Sequence, residues 1–390
     1  MKMNITQIRK DTPGTQRLIH FNNAGASLPT RQVLESTQDF MHREAMTGGY
    51  RFMAEEAAAI NDFYTQAAQL INASSDEIAL TQNASSSLNL ALYALPWEKG
   101  DVILTSEIEY GNNYLNYLQL KERKGVEIRI FPLDKNHHYD LSDFESYIDD
   151  KVKLIAITHI PTNSGMIAPV EAIGKIAKKH NILYMVDACQ AIGHLPFDVE
   201  KIGCDFATAT SRKYLRGPRG LGFLYVRKSI IEQLNPVFLE MLYADWQSNT
   251  DFKLHKSMKM FETWEKPYAL MAGFTAAIRY ANDLGMENIW QRTQEIANYL
   301  RQQLQTVKGV KIQDIGENLC GIVTFTMEKT TPELLQKQLQ QFNINTSVSG
   351  RFSSVIDMDK RGLSNVLRAS VHYYNTKEEV DKLIKVISNK

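Results

Sequence analysis

Cysteine is scarce: Cys189, Cys204 and Cys320 are the only three in 390 residues. They are too few and too scattered for a disulfide framework, and they show no metal-binding spacing, so no metal site is expected. An odd, low count suits a reducing compartment. Long apolar runs are missing too. No segment approaches the roughly 18 consecutive apolar residues of a membrane span, and the first ten residues lack the apolar core of a signal peptide. A cytoplasmic location with no membrane partner is the expectation. Net charge is also absent: 44 Lys and Arg balance 44 Asp and Glu, which gives nucleic acid no electrostatic reason to bind. Mixed runs such as Lys121-Glu-Arg-Lys124 read as solvated faces. Internal repeats, low-complexity tracts and long linkers are lacking as well.

What the chain does have is alternation. Between about residues 75 and 230, short β-rich runs recur: Val102–Thr105, Val126–Phe131, Leu154–Thr158, Leu183–Val186, Phe206–Thr210 and Gly222–Val226. Helix-like stretches separate them, as at 170–180, with apolar Val170, Ile173 and Ala177 on one side. This pattern predicts an α/β fold with a mostly parallel sheet flanked by helices. Ligands of such sheets bind outside the carboxyl ends of the strands. Beyond about residue 270 come helices over 267–281, 286–307, 332–342 and from Lys377. Strands over 321–326 and 366–371 accompany them. That is the pattern of a smaller α+β unit.

Two strand ends carry chemistry. Asp187 closes Leu183-Tyr-Met-Val-Asp187, and Lys213 lies in Ser211-Arg-Lys213, just before the glycine-rich Gly217-Pro-Arg-Gly-Leu-Gly222. An aspartate at one strand end and a lysine at a later one suit an enzyme that holds pyridoxal 5'-phosphate. The lysine amine condenses with the cofactor aldehyde, and the carboxylate pairs with the pyridinium nitrogen. A nucleotide-binding doubly wound protein is the competing reading. Its glycine fingerprint should open a helix, whereas Gly217–Gly222 precedes a strand.

Longer motifs carry a resemblance. Thr158-His-Ile-Pro-Thr-Asn-Ser-Gly165, Val186-Asp-Ala-Cys-Gln190, Thr210-Ser-Arg-Lys213 and Leu367-Arg-Ala-Ser370 with Tyr374-Asn-Thr376 resemble the class V aminotransferase family. The resemblance is to its branch of cysteine desulfurases, selenocysteine lyases and isopenicillin-epimerase-like proteins. It runs in order from about His20 to the end. It implies a fold-type I architecture with a seven-stranded-type sheet, a large domain over 21–270 and a small domain over 271–390. Residues 1–20 are expected to pack on the small domain.

The resemblance also assigns roles. Lys213 is the cofactor-binding lysine and proton shuttle, and Asp187 the pyridinium partner. Gln190 and Asn163 would hydrogen-bond the phenolic oxygen. Ala84 and Ser85, within Thr81-Gln-Asn-Ala-Ser-Ser-Ser87, would meet the phosphate at a helix N-terminus, with Ser211 and Arg212 as further phosphate ligands. Tyr110 stands where the desulfurases have a ring-stacking histidine. Arg368 would clamp the substrate carboxylate through its planar fork. Asn22, Ala24 and Gly25 would line the substrate pocket. Phe261-Glu-Thr-Trp264 matches a stretch that in relatives reaches the neighbouring subunit's site, so a homodimer is expected.

One motif is missing. Desulfurases carry a persulfide cysteine on a loop some 15 residues before the carboxylate-binding arginine. Here that count reaches Phe352-Ser353-Ser354, and no cysteine occurs from Gly321 onward. Cys189 reads as a small packed residue. The expected activity is therefore a C–S lyase working by β-elimination on an amino acid. An aminotransferase or an epimerase is the alternative.

Overall fold

A computed structural model describes residues 3–388. Its core is a seven-stranded sheet built from β1 (Ile78–Thr81), β2 (Val102–Ser106), β3 (Glu127–Phe131), β4 (Val152–Thr158), β5 (Leu183–Asp187), β6 (Phe206–Thr210) and β7 (Gly222–Val226). The order across the sheet is β1-β7-β6-β5-β4-β2-β3. β7 runs antiparallel to both neighbours, and every other pair is parallel. The expected α/β class and mostly parallel sheet are both present.

These strands are near-continuous apolar runs because helices cover both faces. Val102, Leu104, Ile155, Ile157 and Val186 enter one core, and Ile103, Leu154, Ala156 and Met185 enter the other. β1 was not expected, because Ile78-Ala-Leu-Thr81 is only four residues long and offers little pattern. Helices at Arg31–Thr47 and Ala57–Ile71 also went unassigned.

A second sheet of four strands holds β8 (Val310–Ile312), β9 (Ile322–Met327), β10 (Ser347–Gly350) and β11 (Asn365–Ser370), in the order β8-β9-β11-β10 and antiparallel throughout. Its own apolar cluster includes Leu300, Val323, Phe325, Leu367 and Leu383. The helix Tyr268–Leu284 straddles the boundary expected near residue 270. Its buried Met271, Phe274 and Ile278 share a core with Phe63, Ala67 and Phe223. Near the N-terminus, Ile19 and His20 pair in parallel with Ile344 and Asn345. Residues 1–2 and 389–390 of the expected terminal segments lie outside the described residues.

Candidate active site

The site forms where the parallel strands end. Asp187 is the last residue of β5, with Thr158 of β4 and Thr208 of β6 as its register partners. Its carboxylate is held on both oxygens. Oδ1 accepts from the Cys189 backbone N–H at 2.9 Å and from the Thr208 hydroxyl at 3.4 Å. Oδ2 accepts from Asn113 Nδ2 at 2.8 Å. An acid made rigid in this way serves as a fixed counter-charge.

Lys213 sits in the loop after β6. Backbone bonds from Gly217 N–H to Ser211 O and from Arg216 N–H to Lys213 O fold that loop into a tight turn. Arg216 takes a positive φ of 63° there. Its buried guanidinium donates to Leu28 O, Tyr373 Oη and Thr12 Oγ1, tying the turn to distant segments. Lys213 Nζ lies 3.2 Å from Cys189 Sγ. Lys213, Asp187, Cys189, Gln190, Tyr110, Asn113, Thr158, Thr162, Ala84 and Ser85 line one cavity.

Ala84 and Ser85 open the helix α1 (Ala84–Ala94), whose cap Asn83 accepts from Ser86 N–H at 2.9 Å. Ala84 and Ser85 line the cavity, and the first-turn N–H groups of a helix have no intrahelical acceptor, an arrangement suited to an anion. Gly222 permits this placement. A Cβ there would meet Ala209 O at 2.4 Å and the Asn83 backbone at 2.9 Å.

The substrate side is built by the turn at 22–26. Gly25 and Ala26 N–H groups bond to Asn22 O. Ala24 N–H donates to Ser370 Oγ at 2.9 Å, and Ala24 O accepts from Gln190 Nε2 at 3.1 Å. Gly25 O accepts from the Arg212 guanidinium. The turn thus joins the large sheet's loops to β11. Arg368 of β11 donates to Ser347 Oγ at 3.1 Å, to Asn22 Oδ1 at 3.5 Å and to the Thr162 hydroxyl. Burial lowers its pKa to about 10, and among the described residues no carboxylate pairs with it. A buried guanidinium without an anion is a site awaiting one.

Three expected contacts fall elsewhere. Asn163 is off the cavity wall. Its side chain accepts from Ser349 Oγ and donates to Gly350 O at 3.4 Å, both on β10. Thr162, one residue earlier, faces the cavity instead. The Ser211 hydroxyl donates to Pro218 O within its own loop, and Arg212 reaches Gly25. Neither lines the cavity with Ala84 and Ser85.

Cys189 needs a correction in the other direction. It is half-buried on the cavity wall, next to the lysine amine, and is more than packing. Burial pushes its thiol pKa up, and Lys213 opposes that shift. Cys204 and Cys320 are buried, with the Cys320 thiol raised to about 12 by desolvation. Glu109, Asn113, Thr158 and Thr162 also went unpredicted. Glu109 and Asn113 lie in Ser106-Glu-Ile-Glu-Tyr-Gly-Asn-Asn113, and Thr158 and Thr162 lie in the motif Thr158-His-Ile-Pro-Thr-Asn-Ser-Gly165.

A model of the aminotransferase class-V family matches residues 19–383. The chain belongs to the class-V aminotransferase family. Membership makes it a pyridoxal-phosphate-dependent enzyme. It is 30% identical over 387 residues to a probable cysteine desulfurase of Methanothermobacter thermautotrophicus, covering 98% of this chain and 96% of that one. The apo structure of a cysteine desulfurase from Thermococcus onnurineus NA1 superposes with a TM-score of 0.93 at 28% identity, over 100% of this chain and 98% of that one. A cystine C-S lyase complexed with its product cysteine persulfide shares the fold, with a TM-score of 0.87 at 21% identity, over 97% of this chain and 99% of that one.

The residues present fit the family's cofactor. A rigid acid, an amine and the first turn of a helix line one cavity. The Gln190 Oε1 atom is buried there without a hydrogen-bond partner.

Proposed function

We propose that this class-V enzyme cleaves a C–S bond of an amino acid by β-elimination and uses no protein thiol. When bound, pyridoxal phosphate supplies an electron sink for the pair left at the substrate α-carbon. Asp187 would hold the proton at the ring nitrogen. The Ala84 and Ser85 N–H groups would receive the phosphate, and the Tyr110 ring would pack against the cofactor. Arg368 takes the substrate carboxylate and orients the α-carbon. The Lys213 amine, on its short tether, removes the α-proton. The Cβ–S bond then breaks and sulfur leaves with its electron pair. The released 2-aminoacrylate takes up water to give pyruvate and ammonia.

One observation carries the choice of elimination over sulfur transfer to the protein. The turn Arg351–Ser353 lies against the N-terminus of the helix Gly111–Lys124, so close that a Cβ on Gly111 would meet Phe352 O at 2.4 Å. This brings the segment to Tyr110, and Phe352, Ser353 and Ser354 offer no thiol. A serine hydroxyl stays protonated near neutral pH and forms no persulfide. The cavity's own thiol, Cys189, stands between Asp187 and Gln190, the residues assigned to the cofactor.

A variant with Cys189, Cys204 and Cys320 all replaced by alanine tests this. It is expected to keep most of its turnover, at a stability cost on the order of 1 kcal/mol per buried site. Loss of turnover in Cys189→Ala alone, with the cofactor retained, would instead make the chain a sulfur transferase.

The reading includes a homodimer. Val237, Phe238, Leu239, Met241, Trp246, Phe252 and Trp264 are exposed large apolar side chains. The first three and the segment Phe261–Pro267 border a groove of about 680 Å³. Apolar surface gathered in this way suits a subunit contact.

A further inference from the structure

Behind Asp187 lies a second carboxylate that the proposed reaction does not use. Glu109 is 3% exposed and, among the described residues, has no Lys, Arg or His partner within 4 Å. Its neighbour Glu107, by contrast, pairs with Lys360 at 2.8 Å. Glu109 accepts four hydrogen bonds. Oε1 takes the Tyr110 N–H at 2.8 Å, Asn113 Nδ2 at 2.9 Å and the Thr158 hydroxyl, while Oε2 takes the Thr105 hydroxyl at 3.0 Å. The Tyr110 and Asn113 N–H groups can only donate to it, which favours the ionised form. Burial nonetheless raises its pKa to about 7, with the Asp187 charge adding to the rise. The titratable groups facing it are Asp187, Tyr110, Tyr117 and Tyr139, none of them cationic.

Asn113 is the link. Its Nδ2 donates to Glu109 Oε1 and to Asp187 Oδ2 at once, so one amide clamps two acids. Two buried carboxylates joined in this way call for a cation, and among the described residues no Lys, Arg or His lies within 4 Å of either. The proton on the ring nitrogen, beside Asp187, is the charge that would satisfy them.

We propose that Glu109 is a positioning residue for the cofactor, which through Asn113 fixes the Asp187 carboxylate and helps keep the ring nitrogen protonated. This rests on Asp187 being the ring-nitrogen partner, as read above. Tyr110 N–H donates to the same Glu109 oxygen, so the ring-facing tyrosine and the ring-nitrogen acid share one anchor.

The test uses full-length protein loaded with pyridoxal phosphate labelled with 15N in the ring, whose chemical shift reports protonation independently of turnover. In the wild type the nitrogen is expected to stay protonated from neutral pH well into the alkaline range. Glu109→Gln removes the charge and turns an amide toward the donors. Asn113→Leu breaks the clamp and leaves both acids in place. Each is expected to lower the pH at which the nitrogen loses its proton by about one unit or more. Should Glu109→Gln fail to fold, Asn113→Leu decides alone. A titration in Asn113→Leu that matches the wild type overturns the proposal. An unprotonated nitrogen in the wild type at neutral pH would instead overturn the assignment of Asp187, a separate and recognisable failure.

Discussion

Two side chains set the chemistry at the scale of single residues. Lys213 is the only lysine on the cavity wall among the described residues. Lys213→Ala is expected to abolish borohydride-reducible attachment of cofactor together with turnover. Lys228→Ala is the control, because Lys228 is an exposed residue paired with Asp76 and its loss should leave the visible spectrum intact. A reducible adduct surviving in Lys213→Ala would overturn the assignment. Arg368 is the second. Its burial without an acid predicts that Arg368→Ala lowers kcat/KM for amino-acid substrates by about 100-fold or more, since truncating one side of a buried charge pair costs on the order of 3 kcal/mol. Arg368→Lys is expected to recover little, as an ammonium lacks the planar fork. Unchanged KM in the alanine variant would mean the guanidinium serves only Ser347, Thr162 and Asn22. Asp187 and Lys213 were marked in the sequence by their places at and just after strand ends, and Arg368, inside β11, by its motif Leu367-Arg-Ala-Ser370. Glu109 and Asn113 were not, since their roles exist only once β2, β4 and β5 lie side by side and Thr105, Thr158 and Asp187 converge.

At the scale of elements, glycines decide how closely the two sheets' loops approach. Gly111 starts its helix under the Phe352 carbonyl, so Gly111→Ala is expected to push the turn Arg351–Ser353 away from Tyr110. Overpacking of this kind costs roughly 1–3 kcal/mol, and the displacement should raise KM more than it lowers the melting temperature. A variant with wild-type KM would mean that this contact does not shape the substrate side. Strands such as Leu183–Val186 and Phe206–Thr210 were predictable from pattern alone, as short runs mixing apolar, aromatic and β-branched residues. β1 was hidden by its length. In the helix Ala84–Ala94 the polar run Ser85-Ser-Ser87 disguises the first turn. That turn becomes helical through the Asn83 cap and through burial of Ser87, whose hydroxyl donates to Phe223 O at 3.1 Å. Asn163 was misplaced for a related reason. The local sequence Thr162-Asn-Ser-Gly165 fixes a turn but not which side chain faces inward, and that is settled by Ser349 and Gly350 on the second sheet.

At the scale of the whole molecule, buried imidazoles set the response to acid. Desolvation lowers the pKa of His159 and His194 to about 3, and burial also lowers that of His372 well below its ordinary value. The unfolded chain takes up these protons below about 6.5 while the folded chain does not, so stability falls as pH drops through that value. Glu109, raised to about 7, works in the opposite sense: the folded state holds its proton where the unfolded state has released it. Three histidines outweigh one acid. Each net proton is worth about 1.4 kcal/mol per pH unit, so the urea midpoint should be lower at pH 5.5 than at pH 7.5. An equal or higher midpoint at pH 5.5 would contradict the burial of these imidazoles. Assembly belongs to this scale too. Sedimentation is expected to give a dimer, and a catalytically active monomer at micromolar concentration would argue against a site completed by a second copy. The products of turnover report directly where the sulfur goes. Purified enzyme loaded with pyridoxal phosphate and given L-cystine or L-cysteine is expected to yield pyruvate and ammonia in equal amounts, in the wild type and in Cys189→Ala alike. Alanine as the main product, with its formation lost in Cys189→Ala, would contradict elimination and make the chain a desulfurase with its thiol in an unexpected place.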